Sequence, residues 1–293
     1  MIDAHLHLWD PGRLRYDWLS HVPPIAGRQG PEEWTRQKTG VTRAVFVQSD
    51  CEAVQALDEV DWIAGLAHPA LDILGIVAFA PLELGAGVAP HLDALMARPR
   101  VRGVRRLLQG EPDGFIASTN HVAGLIETAG SGLTLDLCVV ARQLPQVIEA
   151  LDALYAAHPD ARVVLDHLGK PDIATYGADI TGAGWAENID RLSTFPNLNA
   201  KISGLPTQDI WDAPRNDAMH AHIDHALERF GVSRLMFGGD WPVVELAGGY
   251  TAWLETVAPV FAGLSPDDRR AVEADTAIQF YGLEITTAPE ATP

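Results

Sequence analysis

Along the chain, hydrophobic and polar positions alternate between two kinds of segment. Short apolar, β-branched stretches recur eight times: MIDAHLH (1–7), VTRAVFVQ (41–48), ILGIVAFA (73–80), VRGVRRLL (101–108), LTLDLCVV (133–140), ARVVLDHL (161–168), LNAKISG (198–204) and RLMFGGD (234–240). Several are nearly unbroken apolar runs, the pattern of a strand covered on both faces in a parallel sheet. Between them lie segments with helical spacing. CEAVQALDEVDWIAGLA sets Val54, Leu57, Val60, Trp62, Ile63 and Leu66 largely on one stripe. QLPQVIEALDALYAAH does the same with Leu144, Val147, Ile148, Leu151 and Leu154. DAMHAHIDHALERFG runs into Gly231, a residue suited to the left-handed turn after a helix.

Strand starts recur roughly every thirty to forty residues, the length of one βα unit. Eight such units predict a single (β/α)8 TIM-type barrel over residues 1–283, followed by a frayed tail over 284–293. No low-complexity linker divides the chain. An open doubly wound sheet would require a glycine-rich phosphate loop after the first strand, and HLHLWDP is nothing like one.

Composition narrows the partners. The 293 residues are 47% hydrophobic and carry a formal net charge of −18. A surface of that sign repels phosphate backbones and anionic lipid, so a small-molecule substrate is expected rather than nucleic acid or membrane. A homo-oligomer is compatible with it. The sequence shows neither an apolar run of membrane-spanning length nor a basic-then-apolar leader. Cys51 and Cys138 lie far apart with no pairing pattern, as expected of reduced thiols in a cytoplasmic protein.

In a barrel of this kind the chemistry gathers at the C-terminal ends of the strands. The polar residues fall there in turn. Strand 1 ends in His5 and His7, strand 2 in Gln48, and strand 4 carries Arg105 and Arg106. Strand 5 carries Asp136, strand 6 ends in Asp166 and His167, strand 7 holds Lys201, and strand 8 ends in Asp240. Ionisable groups withdrawn from water cost several kcal/mol unless paired, so folding alone does not explain so many on one rim.

Each has a plainer reading. His5 and His7 could be a surface pair, His167 a core imidazole bonded to backbone, Asp240 a turn cap and Asp136 a counterion of Arg105. Arg105 and Arg106 are adjacent and point to opposite faces; Arg105 is read as the inward one. Trp9 and Trp241 offer flat faces near the rim. His220, His222 and His225 are read as the solvated face of a helix, and His91, His121 and His158 as helix-surface residues.

The strand-1 His-x-His, the later His167 and the strand-8 Asp240 resemble the signature of the amidohydrolase superfamily. With IDAHLHLWDP, RYDWL, GVRRLLQGEP, LDHLGKPDI, NLNAKISGL and FGGDWPV in order, the chain resembles its sugar-acid lactonase branch, from residue 1 to about 283. The resemblance implies a lactone-opening hydrolase of carbohydrate metabolism, with Asp240 as general base beside His167. It implies one divalent metal ion, zinc by its ligands, on His5, His7, His167 and Asp240; members of the branch differ in whether turnover needs it. Gln48, Arg105, Asp136, Lys201, Trp9 and Trp241 would contact substrate.

The chain also departs from the dinuclear members. They use a carboxylated lysine on strand 4 and a histidine on strand 5, where this sequence has arginines and Asp136, so a two-metal site is not expected. Two alternatives stand beside the lactonase: a non-oxidative decarboxylase of the same superfamily, and a barrel that binds a small molecule without turnover.

Overall fold

The computed structural model describes residues 1–285. Most of the tail expected over 284–293 therefore lies outside the described residues. Each of the eight apolar stretches forms one strand: β1 Asp3–Leu6, β2 Arg43–Val47, β3 Asp72–Phe79, β4 Val101–Leu107, β5 Thr134–Cys138, β6 Val163–Leu165, β7 Leu198–Ile202 and β8 Leu235–Phe237. They pair in sequence order and in parallel. The sheet closes through its first and last strands. The Asp240 amide donates to His5 O at 2.8 Å and the His7 amide to Trp241 O at 2.8 Å, with Leu6 bridged to Trp241. This is a (β/α)8 barrel.

Helices follow the strands as the apolar period requires. Ala56–Ala64, Ala89–Met96, Thr119–Ser131, Leu144–Ala157, Trp185–Ser193, Asn216–Phe230 and Tyr250–Ala262 succeed β2 to β8 in turn. Ser118 caps one of them, accepting a bond from the His121 amide, and Gly132 ends it in the left-handed region at φ 85°. After β1 the chain instead makes a long excursion with short turns, ending in Pro31–Trp34 and Thr35–Gln37 before β2. A continuous apolar layer fills the space between strands and helices. The lower barrel interior is filled by Ile2, Val45, Val77, Val164 and Met236, and the C-terminal helix Thr276–Tyr281 closes it with Phe280 and Tyr281.

Several expectations are corrected. Val54 is 91% exposed because the helix begins only at Ala56, so it is not part of the buried stripe. His121 is fully buried, with Nδ1 2.8 Å from Ile116 O, rather than on a helix surface. His222 and His225 are buried too, packed on the Trp185 ring at 4.7 and 5.6 Å. A helical face that covers a barrel meets neighbouring helices as well as strands, so polar residues at its flanks are buried between helices. Cys51 and Cys138 are free thiols, half-buried and buried. No helix among the described residues is long and apolar enough to cross a membrane.

Candidate active site

The seam that closes the barrel also assembles the site. His5 and His7, two residues apart on and just beyond β1, both turn inward. Their Nε2 atoms lie 3.2 Å apart. Asp240 Oδ1 stands 3.4 Å from His7 Nε2, 3.8 Å from His5 Nε2 and 4.0 Å from His167 Nε2. The His5 and His167 ring centres are 4.4 Å apart. The structure thus brings together all four residues of the signature.

Two of the four sit on strained backbone. His167 and Asp240 have φ of 54° and 55°, in the left-handed region that side-chain-bearing residues seldom occupy. These turns lift the side chains off their strand ends and over the barrel mouth. Gly204 makes room for them: a Cβ there would collide with His167 Nδ1 and stand 3.0 Å from Asp240 Oδ2.

Hydrogen bonds set the tautomers. His7 Nδ1 is 2.8 Å from Val47 O, which can only accept, so the proton sits on Nδ1 and Nε2 keeps a lone pair. His167 Nδ1 is 2.9 Å from Ser203 Oγ. Burial pushes His5 and His167 well below the ordinary imidazole range, and His7 below it, so all three are neutral near pH 7. Burial alone would raise the Asp240 carboxyl. The neighbouring His167, with Lys170 beyond it, outweighs it and holds Asp240 below the ordinary carboxylate value.

Under these residues runs a column of buried charges. Lys201 Nζ lies 2.5 Å from Asp136 Oδ2, 3.0 Å from Asp166 Oδ1 and 3.1 Å from His5 Nδ1. Tyr281 donates its hydroxyl to Asp136 Oδ2 at 2.8 Å from the closed end of the barrel. Arg105 Nη1 reaches His5 Nε2 at 3.3 Å and Asp166 Oδ2 at 3.5 Å, while Nη2 donates to Gln48 O at 2.6 Å. Burial lowers the Lys201 ammonium, but Asp136 and Asp166 more than offset it and leave it above its ordinary value. Burial pushes Asp136 up to about 6. Asp136 is therefore the counterion of Lys201 and not of Arg105, its neighbour in strand register.

Above the column opens a cavity lined by His7, His167, Asp240 and Arg105, with Trp18, Asp50 and Lys170 at its walls. Arg105 is the inward arginine; Arg106 turns outward to Glu83 and Glu111 at 3.0 and 2.6 Å. Lys201, Asp136 and Gln48 do not line the cavity, so as placed they brace it without touching its contents. Trp9 and Trp241 do not line it either. Trp9 is fully buried and donates Nε1 to Ile25 O and Gly27 O, and Trp241 packs on Trp34 at 5.3 Å. The aromatic face at the cavity is that of Trp18, which Trp9 supports edge-on at 5.2 Å. Trp9 and Trp241 lie beyond the ends of β1 and β8, where strand alternation no longer fixes which way a side chain points. Trp18 lies in RYDWL and Lys170 in LDHLGKP, so both stood inside recognisable motifs; Asp50 had only its place two residues after Gln48.

A sequence profile described as Amidohydrolase matches residues 2–283. The chain belongs to the amidohydrolase family. It is 31% identical over 298 residues to an L-fucono-1,5-lactonase of Burkholderia multivorans, covering 96% of each chain. A crystal structure of an amidohydrolase from Burkholderia multivorans with bound zinc has a TM-score of 0.82 to it at 30% identity, covering 97% of this chain and 99% of that one. A putative 2-pyrone-4,6-dicarboxylic acid hydrolase from Pseudomonas putida shares the fold, with a TM-score of 0.73 at 23% identity over 97% and 98% of the two chains.

The donor set of this amidohydrolase fits a metal ion. Donor atoms of His5, His7 and Asp240 lie within 4.8 Å of one another, as do those of His5, Asp166 and His167. His7 Nε2 and Asp240 Oδ1 are both electron-pair donors with no proton between them, a pairing that repels unless a cation is shared. Asp166 joins the candidate ligands that the signature supplied, and it came from the same strand end as His167.

Two outcomes follow from this geometry. Gly204→Ala should lower activity at least tenfold in a protein that still folds, because the new methyl displaces His167; unchanged kinetics would show that the ring tolerates the shift. Glu59, buried on the helix Ala56–Ala64, accepts the Ser49 amide at 3.2 Å, and burial pushes its carboxyl up to about 8 from an ordinary 4.5. The folded chain then holds a proton that the unfolded chain releases. This contribution to stability is full below about pH 4.5 and lost as pH rises through about 8. Glu59→Gln keeps the acceptor without the titration, so its melting temperature should fall less than that of the wild type between about pH 5 and 9.

Proposed function

We propose that this amidohydrolase opens the ring of a small lactone by water attack, and that its substrate is a sugar-acid lactone. The observation that carries the reading is the Asp240 carboxylate at the cavity, its Oδ1 within 4.0 Å of the Nε2 atoms of His5, His7 and His167. The L-fucono-1,5-lactonase similarity over nearly the full chain supports the substrate class.

In this reading Asp240 removes a proton from a water as its oxygen bonds to the lactone carbonyl carbon. The tetrahedral intermediate then collapses, the ring C–O bond breaks, and the proton held by Asp240 passes to the departing alkoxide. The product is an open hydroxy acid. Arg105 supplies fixed positive charge beside the developing oxyanion. His7 is not a donor to that oxygen, since its one proton is committed to Val47 O. His167, steadied by Ser203, flanks Asp240 and helps keep it ionised. His5, His7, His167 and Asp240 would hold one divalent ion, which when bound supplies Lewis-acid polarisation. Residues 1–283 act as one barrel domain.

Acid release from a panel of sugar lactones tests the reaction. Asp240→Asn should lose about 10²-fold or more in kcat with its melting temperature little changed. Full activity in that folded variant would overturn the assignment. Zinc added to chelator-treated protein should raise the melting temperature and saturate at about one ion per chain, and His7→Ala should weaken that binding. Saturation at two ions, or none, would contradict the single-ion reading.

A further inference from the structure

We propose that Asp50 selects the substrate: its carboxylate accepts hydrogen bonds from adjacent hydroxyls of a neutral polyhydroxylated lactone and disfavours lactones bearing anionic groups. The proposal rests on the lactone reading above and adds what discriminates among lactones.

The loop after β2 is clamped on every side to present this one carboxylate. Asp50 adopts φ 58°, a left-handed conformation rare for a residue with a side chain. Its amide donates to Gln48 Oε1 at 2.6 Å, and the Gln48 carbonyl takes Arg105. Ser49 gives its amide to Glu59 and its hydroxyl to Leu8 O at 2.9 Å, and its carbonyl accepts Trp18 Nε1 at 2.9 Å. All the bonds end on backbone or on neighbours. No hydrogen bond or ion pair among the described residues engages the Asp50 carboxylate, which lines the cavity. Backbone held in a strained state by so many contacts, with a free polar group at its tip, is the arrangement of a preorganised binding group.

The chemistry of the surroundings names the ligand. Trp18, bonded to the same loop, sets an aromatic face beside Asp50 for the C–H side of a ring. A carboxylate that accepts from vicinal hydroxyls next to such a face suits a polyol. An added anion fares badly there. Arg105 is paired with Asp166 and bonded to Gln48 O, and Lys170 is bonded to the neutral Gln109 side chain, so an anion placed beside Asp50 meets that carboxylate with no cation bound to it.

Asp50→Asn and Asp50→Ala in the full-length protein test the proposal; asparagine tolerates the left-handed conformation, so the first should fold normally. With neutral sugar lactones, kcat/KM should fall about ten- to a hundredfold, chiefly through KM. The dianionic probe 2-pyrone-4,6-dicarboxylate should inhibit the variants more tightly than the wild type. Unchanged KM for every neutral lactone, with unchanged inhibition by the dianion, would overturn the role of Asp50 while leaving the lactonase reading intact. If the wild type opens no lactone, that reading fails instead. The thermal shift given by the same lactones then decides: a shift lost in Asp50→Asn supports recognition by Asp50, and an equal or absent shift in both proteins overturns it.

Discussion

Lys201 carries its ammonium group in the middle of the barrel, 2.5 Å from Asp136 and 3.0 Å from Asp166, fully shielded from water. Charges taken so far from solvent are tolerable only as a set. Losing one partner of such a pair typically costs about 3–5 kcal/mol, because the other is left buried and uncompensated. The set extends from Tyr281 at the closed end, through Asp136, Lys201 and Asp166, to Arg105 at the cavity floor. His5 is held between members of this set: Asp166 Oδ1 and Lys201 Nζ stand 3.3 and 3.1 Å from Nδ1 and Arg105 Nη1 3.3 Å from Nε2, so the neutral ring turns its one proton on Nδ1 to Asp166 and its Nε2 lone pair to Arg105. The imidazole positions above therefore depend on an ionic column below.

That dependence gives the polar interior a purpose. An apolar filling of the same volume would stabilise the fold at least as well. It would leave His5 without partners and without an orientation. The column also contributes to the electrostatics of the site: Asp136 and Asp166 face Lys201 and Arg105 below three neutral histidines, and Asp240 stands above them with Lys170 at the cavity wall. A carboxylate beside lone-pair nitrogens is an environment for a cation or for a proton in transit.

Strain is concentrated at the same rim. His167, Asp240 and Asp50 all occupy left-handed backbone, and each stands at the cavity. The closing bonds between His5 and Asp240 and between His7 and Trp241 hold the first and last strands together at the residues that do the chemistry. A barrel that seals itself through its site keeps these groups in register whenever it is folded.

The periodic apolar runs, read locally, determined the eight strands, their parallel order and the strand ends at which His5, His7, His167 and Asp240 appear. Local pattern suffices there because strand and helix periods are properties of the chain itself. Parity also required that only one of Arg105 and Arg106 face inward, and the structure decided that it is Arg105. Past the last residue of a strand that logic stops. Trp9 and Trp241 turned into the protein while Trp18 took the cavity wall, Asp136 paired with Lys201 across the barrel instead of with Arg105 beside it, and Asp50 emerged as a free carboxylate. Those outcomes were decided only by the tertiary structure, because loop conformation and buried-charge pairing are set by groups brought together from distant parts of the chain, whose contacts carry no signal in sequence spacing.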